Sequence, residues 1–318
     1  MMDTLTDVLE HIRSVGALIG QNLMSPPWSI RFDDGASMTL LTMLRGDAWV
    51  VAHGAEPVHL RHHDLAIVTG SQPFSVTSDP DGQTAPLYIL TEAGTCTDVA
   101  GNVLAEESIR LGVRTCGTHL DAEHALLTGS FTAAGRIADR LLGALPRILV
   151  VPHGRQRSVP LELLESEIAR DEPGQQAVLD RLLDLVLIGT LRDWFALPEA
   201  SAPQWYQATR DPIVGPALRA IHDEPARPWT VGTLACEARV SRATFARRFS
   251  DLLGEPPISY LTGWRLCLAF DLLQRTDETI DYIAQQVGYS SSYALSTAFT
   301  REYDVRPSRH RALSARRT

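Results

Sequence analysis

The sequence of 318 residues predicts an α+β chain of several domains: a strand-rich N-terminal barrel, a helical connector and an all-α C-terminal domain with two helix-turn-helix units. Three observations lead to this fold class. Short apolar runs separated by Gly, Pro and Asp follow one another from 28 to 90, as in an all-β barrel or sandwich. Apolar residues recur at helical spacing between 135 and 195. The C-terminal third repeats itself, and each copy contains two short helices.

The N-terminal part begins with a predicted helix at 1–20, where apolar side chains recur at helical spacing. Pro26 and Pro27 end any helix there, because proline cannot continue the hydrogen-bond ladder. Short strands with turn residues between them are expected next. We predict these strands at 37–44, 48–51, 57–60, 65–68, 74–76 and 85–90.

The connector contains two predicted helices. The first, at 135–145, ends before Pro146. The second, at 175–195, carries more apolar side chains than one stripe on a surface helix requires. We expect one part of it to pack on the barrel and the remainder to meet its copy in an isologous homodimer. The alternative is a helix buried within one subunit. A Pro-containing hinge is expected at 197–207.

The C-terminal repeat is the most specific signal in the sequence. Three positions recur after 49 residues, namely Ala235 with Ala284, Val240 with Tyr289, and Ser241 with Ser290. Three recur after 50 residues, namely Phe245 with Leu295, Phe249 with Phe299, and Pro257 with Pro307. The second copy therefore holds one extra residue near the start of its last helix. The Ser241 hydroxyl can cap the helix that follows it, and 257–275 predicts a long helix that joins the two copies.

A short helix, a tight turn and a capped basic helix make up a helix-turn-helix, and the repeated pair resembles the C-terminal domain of the AraC family of bacterial transcription regulators. The resemblance implies binding to double-stranded DNA through one reading helix of each unit. It places Ala243, Ala246 and Arg247 toward base edges and Arg242 toward the DNA backbone. The residues expected to contact DNA are Arg242, Ala243, Thr244, Ala246, Arg247, Arg248, Ser292, Tyr293, Ser296 and Thr297.

The two reading helices differ in chemistry. Arg247 suits the two acceptors of guanine, so we expect the first unit to specify sequence. The second reading helix has no Arg, and its hydroxyl groups suit phosphates, so we expect it mainly to position the protein.

The N-terminal half resembles the cupin-type sensor domain found in this regulator family. The segments that carry the resemblance are 44–49, 63–68 and 141–146, together with Cys116-Gly117. It implies a sensor domain at 1–134, a connector and dimerisation region at 135–207, and an AraC-type DNA-binding domain at 208–318. Arg45, Trp49 and Cys116 are the candidate sensor residues. For Cys116, the alternatives are a redox-active thiol, with Arg114 beside it, and a small buried apolar residue.

Cupins often bind a metal through histidines, so the cluster of His53, His59, His62 and His63 needs an assignment. In the resembling subgroup a ligand histidine stands near the positions of Thr42 and Phe74, and neither residue can replace it. Adjacent histidines of a strand also point to opposite faces. We therefore expect structural or solvated histidines, no metal and no cofactor.

Composition narrows the class of protein further. The net charge is −9, but residues 211–318 carry 14 Arg and 12 acidic residues, whereas residues 1–210 carry 15 Arg and 26 acidic residues. Only the C-terminal part is therefore suited to a polyanion. The four cysteines show no metal-binding spacing and fit a reducing compartment. We find neither a signal peptide nor a membrane span in the sequence, and expect a cytoplasmic protein.

Three functions remain to be compared. The leading hypothesis is a transcription factor that responds to a small molecule or a redox event, with an unknown effector, and with RNA polymerase as a candidate partner. A cupin-type enzyme with an accessory DNA-binding domain would need a metal triad, which the expected positions lack. A DNA-repair fusion would need an activated cysteine in a Pro-Cys motif, which is absent from the sequence. We therefore expect a regulator rather than an enzyme.

Overall fold

The computed structural model describes residues 12–13, 19–91, 94–133, 135–143, 145–154, 158–168, 170, 172–197 and 203–314. The contacts divide the chain into two compact units. The N-terminal unit holds the described residues of 12–133 and 145–197, and the C-terminal unit holds those of 135–143 and 203–314. The segment 135–143, which we predicted as part of the connector, therefore belongs to the C-terminal unit.

The N-terminal unit consists mainly of short strands. They are β1 (Ile12–Arg13), β2 (Ile19–Met24), β3 (Ser29–Asp33), β4 (Met38–Arg45), β5 (Ala48–Ala52), β6 (Val58–Leu60), β7 (Leu65–Thr69), β8 (Phe74–Thr77), β9 (Tyr88–Thr91), β10 (Cys96–Thr97), β11 (Arg110–Gly112), β12 (Thr115–Gly117), β13 (His124–Ala133) and β14 (Ile148–Val151). The six predicted strands are confirmed as β4 to β9. The helix predicted at 1–20 is wrong where the structure describes it, because 12–13 and 19–20 are strand; the remainder lies outside the described residues.

The strands form two sheets. In the first the order is β11-β12-β2-β13-β4-β7-β14, with β1 paired to β13, and in the second it is β10-β9-β3-β8-β5-β6. A shared apolar core receives side chains from both sheets, including Met43 from the first and Ile30 and Val50 from the second. Burial alternates along β3 and β5, which is the pattern of a sheet with one face against a core.

The unit also contains three helices, α1 (Glu106–Ile109), α3 (Val159–Ile168) and α4 (Gln175–Phe195). Helix α4 was predicted with its observed bounds, whereas α3 was not predicted. Helix α4 packs on the first sheet, where a Cβ at Gly129 of β13 would lie 2.6 Å from Leu183 Cδ1. A glycine at this position therefore lets the helix approach the strand closely.

The C-terminal unit is helical in its described part. Its helices are α2 (Arg136–Leu142), α5 (Gln204–Arg210), α6 (Val214–Asp223), α7 (Val231–Glu237), α8 (Arg242–Leu253), α9 (Pro257–Arg275), α10 (Ile280–Gln286), α11 (Ser292–Tyr303) and α12 (Pro307–Ser314). Helices α7–α8 and α10–α11 are the two helix-turn-helix units, and α9 joins them. Part of the expected hinge, 204–207, is helical, and 198–202 lies outside the described residues.

The sequence repeat is also a repeat of backbone conformation. The side chains of Thr230 and Thr279, 49 residues apart, cap the first helix of each unit. The turns contain left-handed residues at the same offset, Arg239 with φ 55° and Gly288 with φ 83°. The second helices are capped by Ser241 and Ser291, which are 50 residues apart. The cap is therefore Ser291 rather than Ser290, and the extra residue lies in the turn before it.

Candidate DNA interface and sensor sites

Helix α8 has a buried face and an exposed face. Phe245 and Phe249 are fully buried, with ring centroids 5.6 Å apart. Ala243 and Arg247 are exposed, while Ala246 is half-buried. Residues four positions apart share one helix face, so the two phenylalanines fix which face remains for a partner. Arg247 lies on the exposed face, and its contact to a base edge stays a prediction.

Arg248, the next residue, has a structural contact that sequence reasoning missed. Its Nε and Nη2 donate to Asp211 Oδ2 at 2.9 and 2.7 Å. The Asp211 side chain is 6% exposed, and its other oxygen accepts from the backbone N–H groups of Ile213 and Val214. Burial raises the Asp211 pKa, but the hydrogen bond from Val214 and those from Arg248 and Ile213 outweigh it, so the pKa lies below its usual value. Arg248 therefore fastens α8 to the start of α6, and its contact to DNA stays a prediction.

The other predicted contacts of the first unit lie at the start of α8. Ser241 Oγ accepts from the Thr244 backbone N–H at 3.2 Å, and the two hydroxyl groups are 2.9 Å apart. Thr244 thus takes part in the cap. The Arg242 guanidinium lies against α7, since a Cβ at Gly232 would be 2.6 Å from its Nε. Arg242 remains exposed and stays a predicted contact to the DNA backbone.

Helix α11 extends to Tyr303, so it contains the exposed Arg301, which the predicted reading helix at 291–299 did not include. Tyr293 is 81% exposed, whereas Leu295 and Phe299 are fully buried. Ser292 and Ser296 are half-buried, and the exposed Thr297 donates its hydroxyl to the Tyr293 carbonyl at 2.9 Å. The Thr297 hydroxyl can still accept a hydrogen bond. The first two turns therefore offer a phenol and hydroxyl groups, and the Arg301 cation follows Thr297 one turn later.

Helix α2 is fixed to both helix-turn-helix units. The Arg136 backbone N–H donates to Asp271 Oδ1 at 2.8 Å, and Asp271 is 3% exposed on α9. The Arg136 guanidinium lies 5.1 Å from the ring centroid of Tyr303, the last residue of α11. Arg140 Nη2 is 3.3 Å from Glu255 Oε1, just after α8. The joining helix and the end of each reading helix thus contact one short segment that lies between β13 and β14 in the chain.

The candidate sensor residues do not form one site. Trp49 lies on the outer face of the second sheet, because its neighbours Ala48 and Val50 point into the core. Its ring stacks on His59 at 4.6 Å, and His59 Nε2 is 2.6 Å from Asp47 Oδ2. Arg45 is exposed at the end of β4. Cys116 lines a cavity of about 400 Å³.

The environment of Cys116 favours the structural alternative. Burial raises its pKa, and the nearby charge that opposes this shift is Arg110. Burial also raises the pKa of Cys96, which lines the same cavity, to about 11. The redox-active alternative relied on Arg114 pointing the same way as Cys116 along a strand, but Arg114 sits in the turn between β11 and β12 with φ 51°. A raised pKa disfavours the thiolate that a nucleophilic cysteine needs.

The positions where related cupins place histidine do not fit a metal. Phe74 is buried and stacks on Phe32 with centroids 4.8 Å apart. Thr42 is fully buried, and strand alternation places it on the face opposite Leu41 and Met43, which point into the core. Across the described ranges, no three His, Cys, Asp or Glu side chains are arranged to hold a metal ion.

The histidine cluster differs from our expectation. His62 and His63 stack with centroids 3.9 Å apart, although we expected adjacent imidazoles to diverge. The pair lies in a turn, where His63 has φ 60° and the alternation of a strand does not apply. His153 packs against His63 at 5.2 Å, and Glu165 Oε1 lies 3.6 Å from His63 Nε2 beside a cavity of about 210 Å³. Burial lowers the His63 pKa and raises the Glu165 pKa.

Comparisons with known proteins agree with this architecture. A cupin family model matches residues 3–196, and a helix-turn-helix domain model matches residues 234–312. An AraC-like transcription regulator of Streptomyces lividans is 31% identical over 318 residues, with 98% of each chain covered. One of Streptomyces antibioticus is 29% identical, again with 98% of each chain covered.

Among solved structures, the DNA-binding domain of AdpA in complex with a target DNA is 34% identical and matches 34% of this chain and 96% of that one, with a TM-score of 0.32. No helix in the described ranges combines the length and apolarity needed to cross a membrane. The chain belongs to the AraC family of transcription regulators and carries a cupin-type N-terminal domain.

Proposed function

We propose that this DNA-binding transcription regulator reads sequence through α8 and positions itself through α11. The observation that carries the assignment is the contrast between Arg247 and Arg248: the first is exposed, whereas the second is held by Asp211. Arg247 is then the cation of α8 best suited to guanine O6 and N7. Ala243 and Ala246 can touch at most a thymine methyl group.

For α11, we propose contacts from Ser292, Tyr293, Ser296 and Thr297 to the DNA backbone. Hydroxyl groups bind phosphate oxygens without distinguishing bases. The high exposure of Tyr293 supports its inclusion. The first unit would then supply most of the sequence preference, whereas the second would add affinity for DNA of any sequence.

The test is a binding series over a half-site randomised one base pair at a time. Arg247→Ala should remove about 1–3 kcal/mol of discrimination at one or two positions. Thr297→Ala should weaken binding to all sequences by a similar factor. Equal loss of base preference in the two variants would contradict the assignment, and Arg219→Ala on α6 is a matched control outside the reading helices.

For regulation, we propose that a small molecule bound to the cupin-type domain changes the population of DNA-binding arrangements. A redox signal at Cys116 is the less favoured input, because burial raises the pKa of that thiol. We also propose a homodimer through α4, where Val178 and Leu185 are 46% and 52% exposed. Analytical ultracentrifugation of Leu185→Asp against Leu120→Asp, an exposed leucine outside α4, tests that contact.

The remaining assignments follow from the same reasoning. We propose a cytoplasmic regulator, since all four cysteines are free thiols, with RNA polymerase as a candidate partner. The alternative, a cupin-type enzyme, finds little support at Thr42 and Phe74. Metal analysis of the purified protein distinguishes the two, because an enzyme of that class would contain a stoichiometric transition metal.

A further inference from the structure

A cavity of about 400 Å³ opens at one end of the strand-rich unit, and we name it the Arg114 cavity. Its apolar wall is formed by Cys96, Val103, Leu104, Ile109 and Cys116, and its charged lining residues are Glu106, Arg110 and Arg114. The volume falls within the usual range of small-molecule sites. The cavity therefore combines an apolar surface with a small number of charges, as ligand sites commonly do.

The two arginines of the cavity differ in their partners. Arg110 Nη1 is 2.9 Å from Glu106 Oε2, so the charges of that pair cancel. Arg114 donates from Nη1 to Gln175 Oε1, and from Nη2 to Gln176 Oε1 at 2.9 Å. Both acceptors are neutral amides, so within the described chain the charge of Arg114 meets dipoles rather than a carboxylate. An anion at this position would gain a charge-assisted hydrogen bond.

The position of Arg114 is fixed by its surroundings. Its backbone is left-handed, with φ 51°, a conformation that a non-glycine residue adopts only at a cost in free energy. The Arg114 carbonyl accepts from the Gln21 N–H of β2 at 2.8 Å. Gln175 is buried and donates from Nε2 to the carbonyl oxygens of Glu167, at 2.7 Å, and Arg170. The guanidinium is thus held in place before a ligand arrives, which reduces the entropy lost on binding.

We propose that the Arg114 cavity is the effector site and that it takes a small monocarboxylate with an apolar body. The carboxylate accepts hydrogen bonds from the Arg114 guanidinium, and the apolar body lies against Ile109, Leu104 and the two thiols. Because a guanidinium matches a carboxylate in shape, an alcohol or amine of equal length is bound more weakly. This inference rests on the proposed sensing function and names its ligand class.

The same residue connects the cavity to the proposed dimer helix. Gln175 and Gln176 are the first two residues of α4. A carboxylate that accepts from the other N–H groups of Arg114 shares the guanidinium with these two amides. Ligand binding then changes how the start of α4 is held. A ligand can shift the population of α4 positions only by its difference in affinity for them, and this shared arginine provides such a difference.

The experiment measures binding to the full chain by isothermal titration calorimetry. Octanoate is the probe, and octanol and octylamine are the matched controls. We expect octanoate to bind, and to bind at least tenfold more tightly than either control. Arg114→Gln should weaken octanoate binding at least tenfold, whereas Arg31→Gln, which removes an exposed arginine of β3 away from the cavity lining, should change it less than threefold. Equal binding of octanoate and octanol, or an unchanged affinity in Arg114→Gln, would overturn the proposal.

A second variant distinguishes loss of the site from loss of the fold. Ile109→Trp fills the apolar wall without removing the guanidinium, and it should also abolish octanoate binding while the circular dichroism spectrum stays that of the parent chain. Retained octanoate binding in Ile109→Trp would contradict the site. DNA binding of the parent chain is measured on the same preparation. If the parent chain binds DNA but not octanoate, the ligand class alone is rejected. If the parent chain does not bind DNA, the proposed function is rejected separately.

Discussion

Substituting Arg248 should destabilise the C-terminal unit rather than change base preference. In Arg248→Ala, the buried carboxylate of Asp211 loses two charge-assisted hydrogen bonds, of 2.9 and 2.7 Å, and keeps the two from backbone N–H groups. Such bonds contribute about 1.5–3 kcal/mol each when one partner is charged. Both bonds end on one oxygen and Arg248 is half-exposed, so water replaces part of the loss, and we expect about 2 kcal/mol in total.

Hydrogen exchange measured by mass spectrometry can follow this change within one unit of the full chain. A loss of about 2 kcal/mol corresponds to about 30-fold faster exchange in peptides from α6 and α8 if they exchange through opening of that contact. Arg247→Ala is the matched control, since it removes the same side chain from the adjacent exposed position. It should leave exchange within about twofold of the parent and reduce base discrimination instead.

The two variants therefore predict opposite results in two assays. If Arg248→Ala exchanged at the parental rate and altered base preference as Arg247→Ala does, the ion pair would not be the role of Arg248. A double-mutant cycle with Asp211→Ala then measures the pair itself, and we expect a coupling energy of about 1–3 kcal/mol.

Three further predictions follow. The pKa of Asp211 is lower in the folded chain than in the unfolded chain. Its contribution to the free energy of unfolding is therefore present above the unfolded pKa of about 3.9 and is lost as pH falls through the folded pKa. In an acid titration, the difference in stability between the parent and Arg248→Ala should be constant from about pH 7 to 5 and shrink below about pH 4. Gly135→Ala places a Cβ 2.3 Å from Asp271 Oδ1 at a residue with φ 105°, so we expect α2 to detach and its hydrogen exchange to become at least tenfold faster. Gly154→Ala is the control, because Gly154 has φ 102° and open space around it; it should leave the hydrogen exchange of α2 unchanged. Since burial raises the Cys116 pKa, iodoacetamide at neutral pH should label the exposed Cys236 first; faster labelling of Cys116 in peptide mass spectra would restore the redox hypothesis.

The reading units could be predicted from sequence because their information is local. The spacing of Phe245 and Phe249, and the capping hydroxyl of Ser241, lie within one helix, and the second copy repeats them. The partner of Arg248 could not be predicted in the same way. It stands 37 residues earlier, in a segment whose sequence indicates only a helix start.

At the N-terminal end, local sequence predicted the wrong secondary structure. Residues 19–24 have polar Gln21 and Asn22 in their middle, and the apolar residues around them repeat at helical spacing. The structure nevertheless makes this segment β2, hydrogen-bonded to both β12 and β13. Pairing on two sides overrides local preference, which is a weak predictor for strands. Asn22 is satisfied there by the hydroxyl of Tyr88, a residue of the other sheet.

The place of α2 in the chain bears on how these regulators can be recombined. A chimera joined at the expected hinge, 197–207, would take the joining helix with its Asp271 from one parent and the Gly135-Arg136 segment that binds it from the other. In such a chimera, α2 of one parent would face the joining helix of the other, and the two would fit only if both parents share these residues. Moving 135–143 together with the C-terminal unit keeps the native pair, so grafts that respect this insertion should preserve repression or activation where simple end-to-end fusions lose it.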